Sequence, residues 1–216
     1  MNILILLGIF FCSILNLPQL RYNHAQISAK ILLFLSGVKV ESIQKYKKLN
    51  PTNAYYLGNF LGIEILPALI SVINEPTSLI LRWFNFYTPI FGWAFTLLKF
   101  IPFSGNFSKF QRILNARLIY EGYSVINFPA GYSILHRDDS SELFKPVVFH
   151  SLKEKVKVIP FAVVENEIRN SLWFRSRYTI SFLEEETFDP MYSKKKQIHK
   201  IEKEIRTELL NLNEGV

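Results

Sequence analysis

Tyr56-Leu57-Gly58-Asn59-Phe60-Leu61-Gly62-Ile63-Glu64-Ile65-Leu66-Pro67-Ala68-Leu69 is the stretch that decides the fold. Ala54 to Leu57 reads as a short apolar strand, and Gly58-Asn59 as the turn that leaves it. Ile63 to Ile73 reads as a helix with Pro67 near its first turns, where a missing N–H costs no hydrogen bond. Outward from this unit, strands and helices alternate. Val38–Ile43, Leu79–Phe84, Ser124–Phe128, Tyr178–Leu183 and Val156–Val164, the last interrupted by Pro160, read as strands. Ile90–Leu98, Val147–Lys153 and Phe107–Glu121 read as helices, the last stopped by Gly122. Leu135–Ser141 is polar and reads as a loop. Gln197–Leu212 is an amphipathic terminal helix with Ile198, Ile201, Ile205, Leu209 and Leu212 on one face, and Lys194–Lys196 precede it. Packing on a sheet accounts for that face better than a membrane surface does. The alternation predicts an α/β class.

The chain has 216 residues, enough for one α/β domain with a full core. It is 49% hydrophobic, with 19 Phe and 10 Tyr, and its mean hydropathy is +0.15. Such a surface faces a membrane or a partner, because soluble monomers rarely leave large apolar patches exposed. A net charge of +7 suits anionic headgroups or nucleic acid. The absence of a nucleic-acid motif favours lipid. Cys12, the single cysteine, excludes an internal disulfide and a cysteine metal site, and its apolar surroundings make it a small hydrophobe.

Ile3 to Leu17 is almost unbroken apolar sequence ended by Pro18, with neither the basic start nor the small-residue cleavage site of a secretory signal. As a helix it would reach roughly 22 Å, short of a hydrocarbon core of about 30 Å. A second helix is expected from about Asn23 to Ser36, with Ile27, Ile31, Leu32, Phe34 and Leu35 on its apolar face and Gly37 as its stop. Together the two predict a membrane-associated helical hairpin over residues 1–36, with a single tilted span as the alternative. Residues 37–216 form the α/β domain. Arg21, Lys30, Lys39, Lys45, Lys47 and Lys48 place that body on the cytoplasmic side.

Four blocks in order, from about Leu33 to Pro190, resemble the glycerolipid (lysophosphatidic acid) acyltransferase family. The Asn59 stretch is similar to the family's Asn-His-x-x-x-x-Asp followed by Ile/Leu-Pro-Ala-Leu. Pro89-Ile90-Phe91-Gly92-Trp93-Ala94, with Phe100-Ile101-Pro102-Phe103-Ser104-Gly105, resembles Pro-x-x-Gly-Trp and Phe-Ile-Pro-x-x-Arg. Glu121-Gly122-Tyr123-Ser124-Val125-Ile126-Asn127-Phe128-Pro129-Ala130-Gly131-Tyr132-Ser133 resembles Glu-Gly-x-Ser-Val-x-x-Phe-Pro-Glu-Gly-Thr-Arg-Ser. Val158-Ile159-Pro160-Phe161-Ala162 resembles Val-x-Pro-Val. The resemblance implies a mixed sheet flanked by helices. It also implies a site in which a histidine takes the acceptor hydroxyl's proton, an aspartate orients that histidine, and arginines and a glutamate hold the acceptor.

This chain departs from the pattern where the chemistry lies. The histidine position is Phe60, its aspartate Ile65, the second-block arginine Gly105, the third-block glutamate Ala130, the threonine Tyr132 and the arginine Ser133. Scaffold positions match: Asn59, Pro67, Gly92, Pro102, Gly122, Phe128, Pro129, Gly131 and Pro160. The expectation is a non-catalytic member of the fold, with no cofactor and no metal. It would act as a lipid-binding or structural subunit of a membrane assembly and partner membrane lipids and other membrane proteins. Its lipid groove would be lined by Asn59, Phe60, Ile65, Gly131 and Tyr132.

The alternative is an active acyltransferase with a rearranged site, taking acyl chains from acyl-CoA or acyl-carrier protein to a lysophospholipid. His136, in His136-Arg137-Asp138-Asp139, is the substitute base to weigh, against a plain solvated loop. His24 lacks an aspartate five residues on, His150 reads as a packing or partner contact, and His199 as solvated. Glu64 neighbours the aspartate position, but one helix step points it elsewhere. Gly58–Gly62 lacks the Gly-Lys-Ser/Thr of a phosphate loop. Gly131-Tyr132-Ser133 lacks the Gly-x-Ser-x-Gly of a nucleophile elbow.

Overall fold

The computed structural model describes residues 18–44, 53–59, 61–62, 65–88, 91–103, 106–128, 156–168, 171, 173–187, 189 and 191–214, with Phe91, Phe107, Lys194 and Lys195 described by their backbone. Helix α1, Pro18–Leu35, opens on a proline whose missing N–H is an orphan there in any case. Gly37, at φ +67°, closes it and turns the chain into strand β1, Val38–Gln44. Strand β2, Tyr55–Gly58, is followed by helix α2, Ile65–Val72, and strand β3, Thr77–Arg82. A 3-10 helix, Trp83–Tyr87, leads to helix α3, Phe91–Leu97, and the short strand β4, Ile101–Phe103. Helix α4, Phe107–Asn115, is capped by Asn106, whose side-chain oxygen accepts from the Lys109 N–H at 3.1 Å. It runs on as a π-helical turn, Ala116–Tyr120, into strand β5, Ser124–Asn127. Strands β6, Lys157–Glu167, β7, Ser176–Phe182, and β8, Glu186–Thr187, precede helix α5, Lys194–Glu214.

The strands form one sheet in the order β1-β7-β6-β2-β5-β3-β4, with β8 on β6. β2 to β6 run parallel, β7 is antiparallel to β6, and β1 follows β7. The C-terminal ends of β2 to β6 therefore share one end of the sheet with the starts of β7 and β1. Helices α1, α2 and α3 cover one face, and α4 and α5 the other. β2 is buried on both sides: Tyr56 faces the α1–α3 layer, while Tyr55 and Leu57 face α4 and α5. The expected α/β class, a mixed sheet flanked by helices, is what the chain forms.

Several expectations are corrected. The helix expected from Asn23 begins at Pro18, so Pro18 starts a helix as well as ending the apolar run. α1 buries Arg21, Tyr22, Ala25, Ala29 and Leu33, and it leaves Ile27, Ile31, Leu32, Phe34 and Leu35 exposed. Small residues face α2 because they let two helices approach closely, and Gln26 secures the pair through the Ile73 carbonyl. Among the described residues no helix is long and apolar enough to cross a membrane. The first arm of the expected hairpin, residues 3–17, and the helix expected at Val147–Lys153 lie outside the described residues.

The third strand ends at Arg82, because Trp83 and Phe84 coil into the 3-10 helix. Pro160 does not interrupt β6. β8 pairs at Lys157 and Val158, and β7 pairs from Phe161 onward. Pro160 sits in the gap between them, where its carbonyl accepts from the Leu183 N–H at 2.8 Å and no ladder partner needs its missing N–H. The terminal helix packs on the sheet as the spacing predicted: Ile198, Ile201, Ile205 and Leu209 are buried in the α4–α5 layer.

Candidate functional site

The turn after β2 lies at the shared C-terminal end of the parallel strands, and this is where open α/β sheets place their ligands. Asn59 is buried there, and its carboxamide is engaged at both ends. Its Nδ2 donates to the Val163 carbonyl at 2.8 Å, and its Oδ1 accepts from the Val163 N–H at 2.8 Å. The side chain thus acts as an extra rung between the end of β2 and the middle of β6. One residue earlier, Gly58 lies against Phe161: a Cβ added at Gly58 would stand 2.4 Å from the ring. Phe161 in turn packs edge-on to Phe128 and tilted against Phe182, with ring centroids 6.1 Å apart in both pairs. The floor beneath the turn is therefore aromatic.

Ile65 opens α2 with its N–H donated to the Gly62 carbonyl at 3.3 Å, and its side chain is fully buried in the α1–α3 layer. Pro67 is the third residue of that helix, as its chemistry requires. Of the residues singled out from the sequence, Asn59 and Ile65 are thus placed at this end. Phe60, Gly105, Ala130, Gly131, Tyr132, Ser133 and His136 lie outside the described residues, as do Glu64 and His150. His199 is exposed on α5, 3.9 Å from Glu202. His24 is half-buried on α1. Among the described residues no group of three His, Cys, Asp or Glu side chains is placed to hold a metal.

Sequence reasoning passed over Val163 and the Phe161–Phe128–Phe182 floor. The signal available was indirect: a buried asparagine must find two partners, and a glycine at a strand end marks a close approach.

The polar cluster of this layer sits at the opposite end of the sheet. The Tyr56 hydroxyl and the Ser124 hydroxyl both donate to Glu75 Oε1, at 2.9 and 2.5 Å, and Ser124 Oγ accepts from the Ala54 N–H at 3.0 Å. Burial pushes the Glu75 carboxyl above its ordinary range, and the two hydroxyls offset part of that rise. Nearby, the buried Arg21 guanidinium donates to the Leu97 carbonyl at 3.4 Å and to the Tyr123 hydroxyl at 3.3 Å. This cluster joins the starts of β2, β3 and β5, a structural task remote from the Asn59 turn.

The element order, the mixed sheet and the Asn59 turn at its C-terminal end define a glycerolipid-acyltransferase-like fold. This fold is shared over most of the chain with the crystal structure of the 1-acyl-sn-glycerophosphate (LPA) acyltransferase PlsC from Thermotoga maritima. The likeness has a TM-score of 0.67 and covers 95% of this chain and 87% of that one, at 15% sequence identity. No family model matches the chain, and no curated protein does.

Proposed function

We propose that this protein keeps the acyltransferase fold without its acyl-transfer chemistry. It works on the cytoplasmic face of a membrane as a lipid-binding or structural subunit of a membrane assembly. The observation that carries this reading is Ile65. The family resemblance calls for an aspartate at that position, and the position is fully buried in apolar packing. A carboxylate set there without a partner would lose several kcal/mol of solvation. The outward apolar stripe of α1, directly after the apolar run Ile3–Leu17, supports a membrane location and the second arm of a hairpin.

The test is extraction of the native protein in mild detergent, with its mass and co-purifying components determined, followed by acyl-transfer assays. The assays use acyl-CoA and acyl-carrier-protein donors with lysophosphatidic acid as acceptor. A stoichiometric complex without turnover is the expected result. Turnover that His136→Ala abolishes would establish the enzyme reading instead.

A further inference from the structure

The chain has three tryptophans, and all three are exposed: Trp83 is 51% accessible, Trp93 66% and Trp173 52%. Tryptophan is highly buried on average, so three of three outside is a pattern to explain. Sheet polarity places them at one end of the molecule, on two flanks of the sheet. Trp83 follows the last residue of β3, and Trp93 lies in the first turn of α3, held to the 3-10 helix by the Gly92 N–H bonding the Thr88 carbonyl at 2.8 Å. Trp173 stands just before β7, whose start lies at that same end.

The two flanks are built alike. On one, Trp83 meets Tyr87 edge-on at 5.5 Å. On the other, Trp173 stacks on Phe34 at 5.5 Å, and its indole N–H donates to the Phe34 carbonyl at 2.7 Å. Phe34, with Leu35, forms the last part of the outward stripe of α1, so that stripe runs into the rim. Lys30, one helical turn before Phe34, Arg82, next to Trp83, and Arg175, two residues after Trp173, are exposed, and the chain as a whole is cationic at +7. Among the described residues, Glu165 and Glu167 at the end of β6 are opposing charges at that end, and Glu41 of β1 is paired with Lys39 and Arg177.

Aromatic rings backed by cations match the headgroup level of a bilayer, where an amphipathic ring keeps its polar edge wet and its body in the acyl boundary. We propose that this aromatic rim docks on an anionic phospholipid bilayer, so that the Asn59 end of the sheet faces the headgroups. The proposal rests on the membrane location argued above and adds which end of the molecule meets the lipid.

The test uses the full chain on vesicles of phosphatidylcholine with a minor fraction of phosphatidylglycerol. The readout is tryptophan emission and its quenching by phospholipids brominated on the acyl chain. Single-tryptophan versions, with the other two changed to Phe, assign the signal. Blue-shifted, quenched emission from Trp83 and Trp173 is expected. Trp83→Ser with Trp173→Ser should weaken vesicle partition by about tenfold or more, and urea unfolding, which also registers the lost Phe34 and Tyr87 contacts, checks that the variant is folded when it is assayed. Protein that binds vesicles with its tryptophans unshifted and unquenched would overturn the rim and leave the membrane reading standing. Protein that does not bind vesicles at all would overturn both.

Discussion

Asn59 and Val163 are joined by two reciprocal hydrogen bonds, each 2.8 Å, although 104 residues separate them in the chain. Asn59→Ala leaves the Val163 N–H and carbonyl buried without these partners. The expected loss is about 3 kcal/mol, or roughly 6 to 12 °C in Tm for a chain of this size. Urea unfolding measures it, and a loss under about 0.5 kcal/mol would show that the clamp carries no stability. Asn59→Asp should fall in the same range, because a carboxylate cannot donate to the Val163 carbonyl.

Glu75 makes stability depend on pH with a definite sign. Burial raises its carboxyl in the folded protein above its unfolded value, so the folded state holds the proton more tightly. Its contribution is fully present below the ordinary carboxyl range and is lost as pH rises through the raised folded value. Glu75→Gln keeps an oxygen to accept from Tyr56 and Ser124 but cannot ionise. The stability difference between the two proteins should therefore move toward the glutamine variant as pH rises through that window. A difference that stays flat in urea titrations across pH would refute this.

Gly92 and Gly122 are both matched scaffold positions, and they should fail differently. A Cβ at Gly92 would stand 2.0 Å from the Phe86 carbonyl oxygen, which is backbone and cannot step aside. Gly92→Ala should cost on the order of 1–3 kcal/mol and loosen α3 from the 3-10 helix, visible as faster amide exchange over residues 83–97. At Gly122 the nearest atom is 4.0 Å away, but φ is +69°. Gly122→Ala should cost about 1 kcal/mol through backbone strain alone, with amide exchange over residues 83–97 unchanged.

The orientation of α1 has its own test. Ala29 is buried in the layer α1 shares with α2, so Ala29→Leu should overpack it and cost on the order of 1–3 kcal/mol. Ile27 is exposed, so Ile27→Ser should change stability in solution by no more than about 0.5 kcal/mol. The reverse ranking in thermal melts would mean that the helix is rotated.

Much of the fold was legible because its signals are local. The strand–turn–helix around Asn59 announces itself through an apolar run, a Gly-Asn turn and a proline in a first helical turn. The terminal helix announces itself through isoleucines at helical spacing. The replacements Phe60, Ile65 and Ala130 are likewise plain in the sequence, since residue type alone decides whether a side chain can carry a proton or a charge.

Direction and pairing were not legible. A helix as apolar as α1 has two faces that sequence cannot rank, and close approach to α2 chose the one with Ala25 and Ala29. Pro160 looked like an interruption until the gap between β7 and β8 removed any need for its N–H. Sequence set the chemistry of each side chain, and with it the loss of the ionisable motif residues. Tertiary structure alone decided that Asn59 is spent on Val163, that Glu75 holds the far end of the sheet, and that three distant tryptophans share one rim. Those relationships depend on which strand ends meet in space, and strand order is fixed by long-range packing.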